Sequence, residues 1–488
     1  MGLGQYDSWQ VLALFQHELL LCAGVFFLIG AVDDVLGDVI WFWLKSSGKA
    51  KVREVARDAL VKRPLNGPVA VFVPAWQESA VIGATIGHML KVWPQSDLLL
   101  YVGCYRNDPE TIEAAMRVAA AMARQDRHRL RIVIHDRDGP STKADCLNRL
   151  HQALRDDERR SGHLFGCVVF HDAEDMVDPG GLTLLDEAIA GGADFAQLPV
   201  EPLVQLTSRW LGSHYCEEFA EAHAKGMVVR NALGAALPAA GVGCAVSRRA
   251  LHHLARQRLD CTPFEAESLT EDYELGLSVA AMGGESRFIR ARADDGTFVA
   301  TRAYFPSTLS SVVRQKTRWV HGIALQGWDR VGWTGGALET WMRARDRRGP
   351  LTALVLLVGY TLLALPLVLW AASSARLAPQ ITLSPLKSVL LTANVAALVW
   401  RAVWRFGFTA QIYGWREGLW AVARIPLTNA IAIMAGRRAI SAYGKTLLGN
   451  AVEWDKTPHR SHPAAPNLGT LERASLDFHL AEPRGKPA

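Results

Sequence analysis

The chain has 488 residues, half of them hydrophobic, and a formal net charge of +5. That length exceeds one ordinary domain, and the apolar excess lies near the two ends, which excludes a purely soluble globular protein. The modest basic excess sits largely beside apolar stretches and so needs no nucleic acid, while seven cysteines without CxxC pairs or zinc spacing exclude a disulfide or zinc framework.

Residues 1–67 read as a transmembrane helix and a linker. The run "VLALFQHELLLCAGVFFLIGAV" (11–32) is long enough to cross a bilayer, with Glu18 its sole formally charged residue. It lacks the basic n-region and the A-x-A-type site of a cleaved signal peptide. Lys45, Lys49, Lys51 and Arg53 follow it, and Arg343, Arg345, Arg347 and Arg348 precede the next apolar run. By the positive-inside rule the middle of the chain is cytoplasmic.

Residues 68–305 alternate short β-branched runs with amphipathic segments such as 110–125 and 143–157. The runs "VAVFVPAW", "LLLYVGCY", "RLRIVIHD" and "GCVVFHD" predict strands, and the alternation predicts an α/β domain with a largely parallel sheet. Ligands of such sheets bind at the carboxyl ends of strands. All four ends carry acids or amides: Glu78 in "PAWQES", Asn107 and Asp108 in "CYRNDPET", the stretch "HDRDGPSTKADCLN", and "FHDAEDMVDP".

In an extended segment Asp172 and Glu174 would point to one spot, and two such anions need a cation between them. Oxygen donors without His or Cys suit Mg²⁺ or Mn²⁺ completed by substrate phosphates. Lys143 and Asn148 begin the helix before the "GCVVFHD" strand, with Ser141 or Thr142 as its cap, and a helix N-terminus offers N–H groups to a phosphate; an ordinary capped helix explains the stretch as well. Thr270 reads as the cap of a later helix whose first turn holds Glu271 and Asp272. This is a routine stabilising arrangement, yet it is compatible with a carboxylate that accepts a proton.

Residues 306–348 contain the amphipathic stretch 310–328, in which Gln315, Arg318 and Trp319 share one face. Arg318 could neutralise a departing diphosphate and Trp319 could stack on a sugar; the competing reading is a helix lying on the membrane surface. Residues 349–445 hold two further candidate spans, 351–372 and 384–404. A third apolar stretch, 419–436, carries Arg424 and Pro426 in its interior and reads as interfacial. Residues 446–488 form a polar, cytoplasmic tail.

Together these residues resemble the family 2 glycosyltransferases of GT-A fold. "PAWQES", "KADCLN", "DAED", "TED" and "QKTRW" follow the family's order, the last matching Q-x-x-R-W in each fixed position. Within the family, "GCYRNDPET", "GPSTKADCLN" and "EWDKTPH" resemble the bacteriophage adsorption protein B group. The resemblance implies a Rossmann-like mixed sheet flanked by transmembrane and interfacial helices, embedded in a bacterial inner membrane with its catalytic domain cytoplasmic. It implies an inverting, metal-dependent transfer from a UDP-sugar, an N-acetylhexosamine by family likeness, to a growing exopolysaccharide.

The implied roles are specific. Glu78, Asn107, Asp108 and Lys143 contact the nucleotide, with Asn148 in the same element; Asp172 and Glu174 hold Mg²⁺ or Mn²⁺, with Asp175 as a helper; Asp272, beside Glu271, is the base. Gln315, Arg318 and Trp319 close the site, and "GVGCAVSRRAL" (241–251) resembles an acceptor-side loop. Glu174 stands where the family's DxD motif has its second Asp, and the short tail leads us to expect no cyclic-di-GMP-binding domain. The implied partners are the donor, a glycan acceptor, the bilayer and an outer-membrane or export protein. The alternatives are transfer of one sugar to a lipid phosphate, and a non-catalytic membrane scaffold.

Overall fold

The β-branched runs form strands where the pattern places them. The structure is a computed structural model that describes residues 7–375, 383–449, 459 and 461–465. In chain order its strands are β1 (Arg53–Val55), β2 (Val69–Pro74), β3 (Leu98–Tyr105), β4 (Leu130–His135), β5 (Cys167–Phe170), β6 (Phe195–Gln197), β7 (Val200–Pro202), β8 (Cys244–Ser247), β9 (Ser286–Phe288), β10 (Ala291–Ala293) and β11 (Thr301–Ala303). Seven of them form one sheet in the order β4-β3-β2-β5-β8-β6-β9, and the pairs β1-β10 and β11-β7 stand apart.

Central strand β2 shows why the runs are continuously apolar: Val69, Val71 and Val73 face one core cluster, and Ala70 and Phe72 face the other. A strand covered on both faces has no polar side to show. β8 is antiparallel to both β5 and β6, whereas the other pairings in the large sheet are parallel. This reversal matters for the site. Phe170, the last residue of β5, pairs with Cys244, the first of β8, so the loop entering β8 lies beside the acidic turn leaving β5. Gly241 and Gly243 in that loop both have positive φ, 79° and 61°.

Among the described residues, three helices are long and apolar enough to cross a membrane: Ser8–Ser46, Gly349–Ser374 and Pro385–Tyr413. The stretch expected as one interfacial helix is instead two, Trp415–Ala423 and Ile425–Leu447, bent by 52°, and the pair could count as a fourth span. The break falls at Arg424. Its fully buried guanidinium lies 2.8 Å from Glu217 and 2.7 Å from Glu417, and Arg405 reaches Glu217 at 2.9 Å. Buried charges persist when each is paired, and this cluster fixes the bend against the helix His214–Glu221.

The first helix runs well past its apolar stretch. Asp33 and Asp34 on it pair with Arg345 and Arg348, and Asp38 pairs with Lys225. The basic cluster before the second span is thus tied to the first.

Candidate active site

The helix Lys143–Ser161 begins where Thr142 caps it, its Oγ1 accepting from the Asp145 N–H at 3.1 Å. Thr142→Ala is expected to cost about 1 kcal/mol of stability, read as a lowered Tm in a thermal melt of the detergent-solubilised protein. The cap sets Lys143 in the cleft, with Nζ 2.5 Å from Asp172, 3.6 Å from Glu271 and 3.4 Å from the Gly241 carbonyl. Burial opposes the Lys143 charge, but Asp172, Glu271 and Asp272 outweigh it and raise its pKa.

Asp172 and Glu174 do not lie in an extended segment. The chain turns at 173–174, with the Asp175 N–H bonded to the Asp172 carbonyl at 3.3 Å. Both side chains still line the cleft, with different partners: Asp172 faces Lys143, and Glu174 lies 3.1 Å from His459 Nε2. Burial, with Asp172, Glu78 and Asp175 nearby, pushes Glu174 up to about 8 against the opposing pull of His459. Asp175 turns inward, accepting from the Asp172 N–H at 3.0 Å and meeting His171 Nδ1 at 2.8 Å.

Thr270 sits at the cap position of the helix Glu271–Ala281, but its side chain makes no capping bond. Its φ of −141° and ψ of 61° turn the hydroxyl away, and Oγ1 is buried without a hydrogen-bond partner among the described residues. The expected cap bond is therefore absent. Asp272 lines the cleft, its Oδ1 accepting from the Tyr273 N–H at 2.7 Å. Burial raises the Asp272 pKa, against the pull of Lys143, which moves it toward the range of an effective base.

Glu271 is more deeply buried and rises from 4.5 to about 7, through burial first and then Asp272, with Lys143 opposing. A folded state that keeps a proton the unfolded chain has released loses stability as pH rises. The loss contributed by Glu271 therefore begins near 4.5 and is complete above about 7. Glu271→Gln is expected to flatten the fall of Tm between pH 5 and 8; an unchanged slope would show that Glu271 is already ionised.

Gln315, Arg318 and Trp319 line the same cleft from the helix Leu309–Trp319. The Tyr215 hydroxyl donates to Gln315 Oε1 at 2.5 Å, and Trp319 packs edge-on against Tyr215 and Phe219. Arg318 Nε is buried without a hydrogen-bond partner among the described residues. The helix expected over 310–328 widens into a π-helical turn over Val320–Gln326 before resuming at Gly327–Val331.

Three expected contacts stand behind the cleft walls. Asp108 accepts from the Gln77 N–H at 2.5 Å, holding the Gln77 backbone at φ 53° in the turn that presents Glu78. Asn107 exchanges two 2.8 Å bonds with the Gly139 backbone. Asn148 exchanges bonds of 2.8 and 3.0 Å with the Phe264 backbone. Glu78 itself lines the cleft, and so do Trp76, Tyr105 and His459, which carried no role in the sequence reading. Trp76 and His459 lay inside quoted motifs, "PAWQES" and "EWDKTPH".

A second cavity of about 420 Å³ shares Thr270, Asp272 and Trp319 with the cleft and reaches Gly37 on the first apolar helix. Asp272 thus lies between the cleft and a cavity that reaches the helix Ser8–Ser46.

Residues 66–322 match the family described as glycosyltransferase-like family 2. The chain is a family 2 glycosyltransferase. Bacteriophage adsorption protein B of Escherichia coli K12 is 31% identical over 465 residues, covering 90% of this chain and 62% of that protein. This glycosyltransferase therefore spans less than two thirds of that relative's length. Among solved structures, a Pyrobaculum calidifontis mannosyltransferase in complex with GDP-Man and Mn²⁺ aligns with a TM-score of 0.49 and 16% identity, covering 86% of this chain and 99% of that one. Glucosyl-3-phosphoglycerate synthase of Mycobacterium tuberculosis, in complex with Mn²⁺, UDP-glucose and phosphoglyceric acid, aligns with a TM-score of 0.32 and 15% identity over 53% of this chain and 78% of that one.

Proposed function

We propose that this glycosyltransferase transfers a sugar, an N-acetylhexosamine by family likeness, from a UDP-sugar to a growing bacterial exopolysaccharide, with inversion at the anomeric carbon. The observation that carries the reading is the meeting of Lys143, Asp172, Asp272, Arg318 and Trp319 around one cleft. In this reading Trp76 and Glu78 lie at the nucleotide end and Lys143 faces the diphosphate. Asn107, Asp108 and Asn148 hold the loops that carry them. The carboxylates of Asp172 and Glu174 fit the donor set of Mg²⁺ or Mn²⁺. Such a cation, when bound, neutralises diphosphate charge.

Asp272 takes the proton of the acceptor hydroxyl as that oxygen bonds to the anomeric carbon and the bond to the diphosphate breaks. Arg318 faces the charge left on the diphosphate. Trp319 offers the sugar an apolar face, and Gln315, held by Tyr215, fixes that helix in place.

A neutral glycan suits the second cavity better than a lipid phosphate does. The cations lining it, Lys225, Arg230, Arg345 and Arg348, already face Asp38, Asp346, Asp33 and Asp34. A phosphate would have to displace an ion pair. We place the protein in a bacterial inner membrane, catalytic domain inward, with an outer-membrane or export partner receiving the product.

The test is product analysis with detergent-purified protein, Mn²⁺ or Mg²⁺, and a panel of radiolabelled UDP-sugars. One donor should give a product that lengthens with time. A single-sugar lipid would replace the polymer reading by carrier transfer, and UDP binding without turnover of any donor, with acceptor present, would leave the scaffold.

A further inference from the structure

Two segments 381 residues apart in sequence meet at the nucleotide end of the cleft. His459 Nδ1 lies 2.8 Å from Glu78 Oε1, and its Nε2 lies 3.1 Å from Glu174 Oε1. One donor atom from each of the three falls within 4.8 Å of the others. A loose tail draped over acidic residues would not be held this way. Three residues on, His462 is fully buried, its Nε2 donating to the Asp175 carbonyl at 3.0 Å and its Nδ1 accepting from the Ala464 N–H at 3.0 Å. Its ring lies beside that of His88, which itself contacts the Val177 carbonyl at 2.9 Å. The segment is therefore anchored on the strip of chain, 175–177, that directly follows the acidic turn.

We propose that His459 is a ligand of a divalent cation held together with Glu78 and Glu174, so that the C-terminal segment is part of the cation centre. Two carboxylates and an imidazole from three separate parts of the chain form a mixed oxygen and nitrogen donor set. Mg²⁺ takes oxygen ligands in a strict octahedron, whereas the transition ion Mn²⁺ accepts an imidazole beside carboxylates more readily, so the set favours Mn²⁺ over Mg²⁺. A cation bound by a docked segment also holds it docked, since a ligand for one state stabilises that state. The competing chemistry is an imidazolium that merely bridges two acids, and metal exchange separates the two.

The assignment rests on the donor-cleft reading above, but its test needs no turnover. Mn²⁺ binding to the full chain in detergent, without donor, is measured by the electron paramagnetic resonance of free Mn²⁺. His459→Ala should weaken binding about tenfold or more. His459→Cys should gain affinity for thiophilic Cd²⁺ relative to wild type while losing it for Mn²⁺, a gain that neither misfolding nor a purely structural role produces. Mn²⁺ should also slow hydrogen exchange over 459–465 in the wild type and not in Glu174→Gln. Wild-type Mn²⁺ affinity in His459→Ala, or no Cd²⁺ gain in folded His459→Cys, overturns the assignment. If the metal results hold while no UDP-sugar is turned over, the UDP-sugar reading falls and the cation site stands. Donor turnover with a Mn²⁺ affinity indifferent to His459 overturns this assignment alone.

Discussion

Asp272→Asn is expected to lower turnover of the nucleotide-sugar donor about 100- to 10,000-fold, the range that a positioned general base contributes. The substitution keeps the shape of the side chain and its Oδ1 bond from the Tyr273 N–H, and it removes one of the carboxylates crowded around Lys143. The fold should therefore persist, with Tm equal to or above that of the wild type. The loss should appear in kcat, with little change in KM for the donor, because the base acts on the acceptor proton and not on the nucleotide. The measurement is UDP release under saturating donor. Near-wild-type turnover would move the proton-accepting role to Glu271, which lies beside Lys143 at 3.6 Å.

Gly241→Ala is expected to cost about 100-fold in kcat although the residue touches no reacting atom in the proposed mechanism. Its φ of 79° is one that an alanine adopts at about 1–2 kcal/mol. The larger effect is spatial. A Cβ there would stand 2.5 Å from Asp272 Oδ2 and 3.3 Å from Asp272 Cβ, so the carboxylate must move, and a shift of about 1 Å at a reacting group costs on the order of 100-fold. Gly234→Ala supplies the control. Its φ is 71°, but an added Cβ would meet nothing within 4 Å. It should show a similar fall in Tm with unchanged kcat. Equal losses of activity in both variants would mean that backbone strain, not contact with Asp272, governs the effect.

How far the sequence revealed this arrangement depends on the distance over which each feature is determined. Strand β3 was legible to the residue, because a strand buried on both faces reads as a continuous apolar run, and eight residues between polar flanks are too few for a typical buried helix. The cap of the helix Lys143–Ser161 was legible to within one residue, since Ser141 and Thr142 both carry a capping hydroxyl and the structure uses Thr142. The pair Asp172 and Glu174 was legible as a cleft feature but not as geometry. Period-two reasoning holds inside a strand, and β5 ends at Phe170.

Asn107 and Asn148 show a different failure. An amide can bond a substrate or a backbone, and its residue type does not reveal that both choose a backbone on another loop. Thr270 has the residue type of a cap but not the dihedrals for it, which packing around it imposes. His459 lay beyond any local rule, since its neighbours in space are Glu78 and Glu174. The motif "EWDKTPH" marked the place without indicating where the segment goes.

The helix Ser8–Ser46 spans 39 residues, roughly 58 Å at 1.5 Å per residue, against a hydrocarbon thickness of roughly 30 Å. Its far half is built into the globular part of the protein. Leu44 is 1% exposed in a cluster with Val229, Ala235 and Met342. Trp41 donates to the Ala224 carbonyl at 2.8 Å and packs edge-on against Trp404 and Phe408. A single rod thus serves as both anchor and keystone, so the catalytic region is not a detachable unit. Cutting the chain after Ser46, the end of that helix, to obtain a soluble enzyme would strip Trp41 and Leu44 from its packing and leave Lys225 without Asp38. Such fragments should aggregate, and the distance of the reaction centre from the bilayer is set by a strut and not by a tether.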